Sequence, residues 1–331
     1  MLKALYVMDH ANWPRIYGPK QHAQITEMVE VLAPVLSPDE ALKRPDLLGQ
    51  MDILLSGWGG PLLDKHFLEL APKLKAFFYG AGSVRQLLSR EFWDRKIVLT
   101  TANTANAIPV AEFSLAHILL GMKRAWHQSE EVKRTRAFPK TSIAVPGAYE
   151  STVGLISLST IGRLVLKHLS HFEMNVIAYD PTVTAAQAAQ LNVELVSLAE
   201  IFSRSDVVSL HAPLLPATEG FITGALLASM KPGSTFINTA RGALIREAEM
   251  IEVLSARPDL TAIIDVTYPE PPEKTSKLFD LPNLVLTPHI AGSVDTECQR
   301  MGQWSVDELR RYLVGEPLKS AITSERASLM A

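Results

Sequence analysis

The sequence predicts an α/β protein of about two domains, each built on a parallel sheet. The chain has 331 residues, which is more than a single hydrophobic core usually holds. Two series of short, almost continuous apolar runs follow one another, and stretches with helical spacing separate the runs. Buried parallel strands linked by helices have this pattern, because helices cover both faces of such a sheet.

The composition excludes several classes of protein. The net charge is −3 and both signs are dispersed, so we expect no nucleic acid partner. Cys298 is the only cysteine, which excludes an intrachain disulfide and a thiolate zinc cluster, and we expect it to be unreactive and no metal to bind. The N-terminus reaches Asp9 too early for a signal peptide, and the apolar stretch 109–121 contains Glu112 and His117. We therefore expect no membrane contact and a cytoplasmic protein.

The first α/β series extends to about residue 102. Its predicted strands are Lys3–Met8, Ile53–Ser56, Leu74–Tyr79 and Ile97–Thr100. The predicted helices between them include Gln21–Leu32 and Leu62–Leu70.

A long apolar helix is predicted over Ala107–Arg124, with Asn106 as its N-cap. Apolar residues on several of its faces indicate burial between two domains or between two subunits. Residues 125–150 are polar and irregular, and we expect an exposed arm or connection there.

The second series contains six predicted strands alternating with helices, which is typical of a doubly wound sheet of the dinucleotide-binding type. The strands are Thr152–Ser157, Asn175–Tyr179, Asp206–His211, Ser234–Ile237, Ala262–Val266 and Leu284–Leu286. The helices begin near Gly162, Leu198, Gly224 and Glu247. An amphipathic tail helix follows over Val294–Leu313, and residues 320–331 are predicted to be loosely held.

The turn after the first strand of this series has the position of a pyrophosphate-binding turn. A dinucleotide fold places the pyrophosphate on helix N-terminal amides, and a downstream acid, here Asp180, binds the adenosine ribose. However, Ser157 and Ser159 stand where the first two glycines of Gly-x-Gly-x-x-Gly belong, and only Gly162 is kept. Two interpretations stay open, a dinucleotide site in which serine hydroxyls contact phosphate, or an ordinary crossover between strands.

Asp180 bears on the choice of cofactor. A carboxylate there repels a 2′-phosphate, so it favours NAD over NADP. The alternative is that Asp180 caps the turn at Pro181.

Three later segments each place a chemical group just beyond a predicted strand, where ligands bind in open α/β sheets. They are Asn-x-x-Arg-Gly at 238–242, Asp-x-x-x-Pro-Glu-Pro at 265–271 and Pro-His-x-Ala-Gly at 288–292. With residues 80–84, 106–112 and 211–218, they make the chain resemble the D-isomer-specific 2-hydroxyacid dehydrogenases over essentially its whole length. That family includes glyoxylate/hydroxypyruvate reductases, glycerate and 3-phosphoglycerate dehydrogenases and D-lactate dehydrogenases.

The resemblance implies a Rossmann cofactor domain (103–292) inserted into a smaller flavodoxin-like substrate domain made of residues 1–102 and 293–331. It implies NAD as cofactor, a small 2-keto acid as substrate, reaction in a cleft between domains, and a homodimer. We rank glyoxylate and hydroxypyruvate above 3-phosphohydroxypyruvate, because no extra basic residues are recognisable around the pocket. The alternative is that the protein is a dinucleotide-sensing corepressor with little turnover. The loss of two glycines from the motif would agree with such a role.

The catalytic residues implied are Arg241, Glu270 and His289, and their chemistry suits the reaction. A guanidinium holds a carboxylate in a bidentate fork and keeps its charge. An imidazole titrates near neutral pH, so His289 can donate a proton in reduction and accept one in oxidation. Glu270 would fix the imidazole tautomer. The alternatives without a catalytic role are that Arg241 is a surface arginine and that Glu270 forms a salt bridge within a loop.

The remaining site residues follow from the same resemblance, except that Ser159, Gly162 and Asp180 are predicted from the turn described above and Trp58 from its place after a strand. The cofactor-binding residues are Ser159, Thr160, Ile161, Gly162, Arg163, Asp180, His211, Pro213, Thr218, Thr239, Ala240, Asp265 and Gly292. The substrate-binding residues are Gly82, Ser83 and Val84, through backbone N–H groups, and Trp58. For His211 a structural role at the strand end stays open, and for Trp58 and Trp304 so does core packing.

Overall fold

The computed structural model describes residues 1–138 and 144–328. The chain forms two compact units: unit 1 is Met1–Asn106 with Ser293–Ala331, and unit 2 is Ala107–Gly292. The sequence places the first crossing between the units after residue 102, and the structure places it after residue 106.

Unit 1 contains a five-stranded parallel sheet in the order β2-β1-β3-β4-β5. Its strands are β1 (Lys3–Tyr6), β2 (Glu30–Val31), β3 (Ile53–Ser56), β4 (Ala76–Tyr79) and β5 (Val98–Thr101). The four predicted strands are present, and β2 is additional. The predicted helix Gln21–Leu32 is wrong at its end, because residues 30 and 31 leave it to pair with Lys3 and Ala4 of β1.

Helices cover both faces of this sheet in the manner of a doubly wound fold. They are α1 (Trp13–Ile16), α2 (Pro19–Met28), α3 (Pro38–Leu42), α4 (Pro45–Leu48), α5 (Lys65–Leu70) and α6 (Arg90–Asp94), with α14 (Cys298–Val314) and α15 (Ser324–Ser328) from the tail. Short 3₁₀ turns at Arg85–Leu87 and Asp295–Glu297 complete the unit.

The tail is more firmly held than predicted. Ser320 is buried, and both its N–H and its hydroxyl donate to the buried carboxylate of Glu308, at 2.9 Å each. Ile322 donates its N–H to Leu99 and joins the core of unit 1. The expectation of a loose tail is therefore wrong for residues 320–327, and residues 329–331 lie outside the described part. Trp304 packs in this core and donates to the Ser320 hydroxyl.

The long helix α7 spans Asn103–Met122. The predicted N-cap is wrong, because the helix begins earlier and Asn106 lies inside it. The Asn106 side chain instead accepts a hydrogen bond from the Ser293 N–H at 3.0 Å. By length and composition α7 is long and apolar enough to cross a membrane, but 56% of its apolar window is buried within the protein, as in a core helix.

Residues 125–150 are not the irregular arm that the sequence predicts throughout. Helix α8 occupies Ala125–Thr135, with Glu130–Lys133 and Glu131–Arg134 ion pairs three residues apart on its surface. Such pairs give a polar sequence local helical support. The part of the predicted arm at 139–143 lies outside the described residues.

Unit 2 contains a seven-stranded parallel sheet in the order β12-β11-β10-β9-β6-β7-β8. The strands are β6 (Thr152–Ile156), β7 (Asn175–Tyr179), β8 (Glu194–Leu195), β9 (Val207–Leu210), β10 (Thr235–Asn238), β11 (Thr261–Ile264) and β12 (Leu284–Leu286). All six predicted strands are present, and the short edge strand β8 is additional. The strand order reverses between β6 and β9, which makes their carboxyl ends the switch point of a Rossmann sheet.

Four of the five helices that connect these strands begin where the sequence predicts, to within two residues, and α10 is additional. The five helices are α9 (Thr160–Leu169), α10 (Ala185–Gln190), α11 (Leu198–Arg204), α12 (Gly224–Ala228) and α13 (Glu247–Ala256), with 3₁₀ turns at Gly242–Leu244 and Lys277–Asp280. The prediction of two parallel α/β sheets is confirmed.

Candidate active site

The three candidate catalytic residues follow three neighbouring strands of unit 2. Strands β10, β11 and β12 are parallel and in register, so that Asn238 pairs with Ile264 and Ile264 with Leu286. The segments that carry Arg241, Glu270 and His289 therefore leave the same edge of the sheet side by side.

His289 and Glu270 form a direct pair. The His289 Nδ1 lies 2.6 Å from Glu270 Oε1, and both side chains are nearly half exposed. The other imidazole nitrogen, Nε2, is not part of this hydrogen bond. The pair thus presents an imidazole with one nitrogen fixed by a carboxylate, which is the arrangement that sets a tautomer for acid–base chemistry.

The buried carboxylate of Asp265 holds the loop on which His289 stands. Its Oδ1 accepts hydrogen bonds from the Thr287 hydroxyl (2.6 Å) and the Ile290 N–H (2.9 Å), and its Oδ2 accepts one from the Ala291 N–H (2.9 Å). The His289 backbone is left-handed, with φ +53°, and its N–H donates to the Asp265 carbonyl. Asp265 is therefore a positioning residue for His289, and its role in binding the cofactor stays a prediction.

Arg241 is largely withdrawn from solvent. Burial lowers the pKa of its guanidinium below the ordinary value, and the charge of Glu270 acts in the opposite direction. Glu270 is thus electrostatically coupled to both Arg241 and His289. The Asn238 amide fixes the turn before Arg241 by accepting from the Ala240 N–H (2.9 Å) and donating to the Arg241 carbonyl (3.0 Å).

Thr239 lies in the same buried turn. Its hydroxyl is 3.3 Å from the hydroxyl of Ser114 on α7, which also donates to the Val110 carbonyl. Ser114 and Asn238 are thus positioning residues that sequence reasoning did not assign. Asn238 stands in the quoted Asn-x-x-Arg-Gly segment, which was a signal for it, whereas the sequence carried no signal for Ser114.

The turn between β6 and α9 keeps the shape of a glycine turn although serines occupy it. Ser157 is left-handed, with φ +76°, a conformation that favours glycine. Ser159 is the N-cap of α9: its hydroxyl accepts from the Gly162 N–H (3.4 Å) and donates to the His211 carbonyl (2.8 Å). A side chain at Gly162 would collide with the Ser157 carbonyl, so the third glycine is required for the helix to start here.

Asp180 follows β7 and binds this turn from the neighbouring strand. Its Oδ2 accepts from the Leu158 N–H (2.8 Å) and the Ser157 hydroxyl (3.2 Å), and its Oδ1 accepts from the N–H and the hydroxyl of Thr182 (2.8 and 2.7 Å). Burial acts to raise the pKa of Asp180, but these hydrogen bonds outweigh it and hold the pKa below its ordinary value. The carboxylate caps its own turn, as the alternative interpretation expected, and also lies at the ribose position of the fold.

His211 follows β9 and is fully enclosed. Its Nε2 lies 3.0 Å from the Ser209 hydroxyl, and within the described residues its buried Nδ1 has no hydrogen-bond partner. Burial lowers the pKa of His211 to about 3, so the imidazole is neutral at ordinary pH. Next to it, the Thr218 hydroxyl donates to the Pro213 carbonyl at 2.6 Å and closes the loop.

The other predicted cofactor residues lie in the same unit. Thr160 and Ile161 form the first turn of α9, whose N–H groups have no intrahelical acceptor. Arg163 donates from Nε to the Leu158 carbonyl at 2.8 Å, which braces the turn. Ala240 lies in the Asn238 turn, and Gly292 is the last residue of unit 2.

The predicted substrate residues belong to unit 1. Gly82, Ser83 and Val84 follow β4, where the Val84 side chain is buried in the core and the Ser83 hydroxyl accepts from the Arg85 N–H at 3.4 Å. Trp58 follows β3 and is partly buried against both cores of the unit. Sequence reasoning missed Arg15, whose guanidinium carbon lies 5.7 Å from the Trp58 ring centroid; no sequence pattern pointed to this contact.

The left-handed backbone at Ser157 generates a stability prediction. Ser157→Gly and Ser157→Ala both lose the hydroxyl, but only glycine adopts φ +76° without a Cβ penalty. We expect the glycine variant to have a free energy of unfolding about 1 kcal/mol above that of the alanine variant in urea denaturation. At the exposed helical Ser255 the order should reverse, because alanine is the better helix former. Equal free energies of unfolding for the alanine and glycine variants would contradict backbone strain at Ser157.

The neutral His211 generates a pH dependence. Since its pKa falls from 6.5 to about 3 on folding, the unfolded chain binds the extra proton between these values, and stability is lost as pH falls through this range. Relative to His211→Gln, which cannot ionise, the wild type should lose about 2 kcal/mol of unfolding free energy between pH 7 and pH 5. Urea denaturation at both pH values measures the difference, with His66→Gln at an exposed position as control. Parallel profiles for wild type and His211→Gln would show that His211 is not buried neutral.

Comparison with known proteins shows the family of the chain. Residues 115–291 match the family described as D-isomer specific 2-hydroxyacid dehydrogenase, NAD binding domain. The chain is 33% identical over 260 residues to D-3-phosphoglycerate dehydrogenase of Mycobacterium tuberculosis H37Rv, covering 78% of this chain and 49% of that protein. It is 34% identical over 218 residues to (S)-sulfolactate dehydrogenase of Chromohalobacter salexigens, covering 66% and 70%.

The whole fold is matched among solved structures. The TT0316 protein from Thermus thermophilus is 26% identical, with a TM-score of 0.71 over 97% of this chain and 100% of that chain. The chain spans about half the length of the D-3-phosphoglycerate dehydrogenases that it matches. By sequence and by fold, the chain belongs to the D-isomer specific 2-hydroxyacid dehydrogenases, and unit 2 is its NAD-binding domain.

Proposed function

We propose that this protein transfers a hydride between NAD and a small 2-keto acid or D-2-hydroxy acid, and works as a 2-keto acid reductase. The observation that carries the proposal is the 2.6 Å His289–Glu270 pair, with Arg241 electrostatically coupled to it, at the carboxyl edge of the NAD-binding domain. The substrate oxygen that takes up the proton would thus meet His289, and the substrate carboxylate would meet Arg241.

The residues of the β6–α9 turn fit a dinucleotide. A helix N-terminus follows the turn, Gly162 leaves no side chain over the Ser157 carbonyl, and Ser159 turns its hydroxyl toward His211. Thr160, Ile161 and Arg163 would hold the pyrophosphate, and Asp180 the ribose. When bound, the nicotinamide supplies or accepts the hydride.

The chain's own groups supply the rest of the reaction. Reduction of a 2-keto acid adds a hydride to the carbonyl carbon and a proton to its oxygen. Arg241 binds the substrate carboxylate and polarises the carbonyl, since a guanidinium keeps its charge even when buried. His289 donates the proton from Nε2, because its Nδ1 is held by Glu270.

Supporting residues on unit 1 complete the proposal. We propose that the backbone N–H groups of Gly82, Ser83 and Val84 bind the substrate carboxylate. The proposal also includes a homodimer in the cytoplasm; the partly exposed Leu120 and Trp126 of the α7–α8 region support an association surface.

Cofactor choice is the first measurement. In a fluorescence titration we expect saturable NADH binding in the micromolar range and at least about tenfold weaker NADPH binding, because the Asp180 carboxylate repels a 2′-phosphate. Equal affinity would remove Asp180 from cofactor selection. Failure to bind either dinucleotide would mean that Ser157 and Ser159 close the site, and the proposed function would fall.

The acid–base role is tested by His289→Asn. We expect kcat for keto-acid reduction to fall by about 10²–10⁴-fold, while the Kd for NADH changes little, since the side chain acts on the proton and not on the dinucleotide. His171→Asn makes the same change at an exposed position of unit 2 and should leave kcat unchanged. An unchanged kcat in His289→Asn would exclude His289 from the mechanism. NADH binding without turnover of any keto acid by the wild type would favour the corepressor alternative.

A further inference from the structure

Both serine hydroxyls of the β6–α9 turn donate their proton within the protein. A hydroxyl carries a single O–H donor. The Ser159 hydroxyl donates to the His211 carbonyl at 2.8 Å, and the Ser157 hydroxyl donates to Asp180 Oδ2 at 3.2 Å. In this arrangement neither serine has a proton left for a phosphate oxygen. The hydroxyls that stand in place of the first two glycines of the motif therefore stabilise the turn itself.

Asp180 is saturated with hydrogen-bond donors. Each oxygen of a carboxylate accepts about two hydrogen bonds. Oδ2 accepts from the Leu158 N–H and the Ser157 hydroxyl, and Oδ1 accepts from the N–H and the hydroxyl of Thr182. These four bonds use the acceptor capacity of the carboxylate. A ribose hydroxyl can therefore bond to Asp180 only by displacing one of its present donors.

The four donors differ in how easily they can be displaced. The two N–H groups belong to the backbone of Leu158 and Thr182, which fixes their direction. The other two donors are hydroxyls that rotate about a side-chain bond, and each carboxylate oxygen holds one of them. A ribose carries two neighbouring hydroxyls that can donate. Its diol therefore matches the two displaceable donors in number and in chemistry.

We propose that the hydroxyls of Ser157 and Thr182 compete with the adenosine ribose of the cofactor for Asp180, and thereby weaken dinucleotide binding. The inference rests on the ribose role proposed above for Asp180 and goes beyond it. Each ribose–carboxylate bond replaces an internal bond, so the number of bonds to Asp180 stays the same. A glycine at position 157, as in the Gly-x-Gly-x-x-Gly motif, has no competing hydroxyl.

Ligands with and without the diol test the competition. ADP and its 2′,3′-dideoxy analogue are titrated against the NADH complex, and displacement of NADH is followed by fluorescence. We expect the wild type to bind the two nucleotides with Kd values within about fivefold of each other, because the diol only replaces internal hydroxyls. A larger preference for ADP would overturn the inference, since the ribose would then find free acceptor positions on Asp180.

Removal of the two internal hydroxyls should increase the affinity for ribose. In the double variant Ser157→Ala/Thr182→Val, water fills the vacated positions and is released when the ribose binds. We expect the Kd for ADP to fall by about tenfold and the Kd for the dideoxy analogue to change by less than about threefold. Ser255→Ala removes a hydroxyl from the exposed face of α13 and should change neither Kd.

A second double variant separates competition from backbone strain. Ser157→Gly/Thr182→Val lacks the same two hydroxyls but relieves the left-handed backbone at position 157. We expect the same gain in ADP affinity as in the alanine variant. A gain in the glycine variant alone, or an equal gain for ADP and the dideoxy analogue, would show that the turn changes shape and would overturn the inference.

The inference and the proposed function fail separately. Keto-acid turnover by the wild type, with an unchanged Kd for ADP in both double variants, would overturn the competition alone. Binding of NADH by the double variants but not by the wild type would uphold the competition while the proposed function falls.

Discussion

The candidate site depends on one buried carboxylate. Asp265 takes three hydrogen bonds from the segment 287–291, and this segment carries His289 in a left-handed conformation. A buried carboxylate is costly in free energy unless hydrogen-bond donors surround it, so these three hydrogen bonds favour a single conformation of the loop. In this position the His289 imidazole forms a hydrogen bond with Glu270, and the charge of Glu270 acts on the Arg241 guanidinium. Asp265 thus positions the candidate catalytic pair through the backbone that carries His289.

Parallel pairing in register explains why distant segments converge. The carboxyl ends of β6, β7 and β9 bring Ser157, Asp180 and His211 together, while β10 to β12 assemble the catalytic candidates. Each unit has its own strand-order reversal, and polar or charged side chains collect at both. In this way the parallel sheet brings side chains together that are many tens of residues apart in the sequence.

Much of this arrangement could be predicted from the sequence, because buried parallel strands leave continuous apolar runs and the chemical groups follow them directly. What could not be predicted depends on tertiary contacts. The strand β2 and the short β8 have no apolar signature and exist only because an edge is open to pair with them. The role of Asp265 arises from N–H groups more than twenty residues away, and the Arg15–Trp58 contact from the packing of Ile16 on two strand ends.

The four donors on Asp180 tie the carboxylate that we propose for ribose binding to the local architecture of the turn. Replacing this carboxylate would leave the Leu158 and Thr182 amides without their acceptor, and the strained Ser157 without its tether. An evolutionary or engineered route to NADP therefore faces an epistatic barrier here. Compensating changes in the turn have to come first, so that the NAD preference that we propose would be maintained by structure as well as by charge.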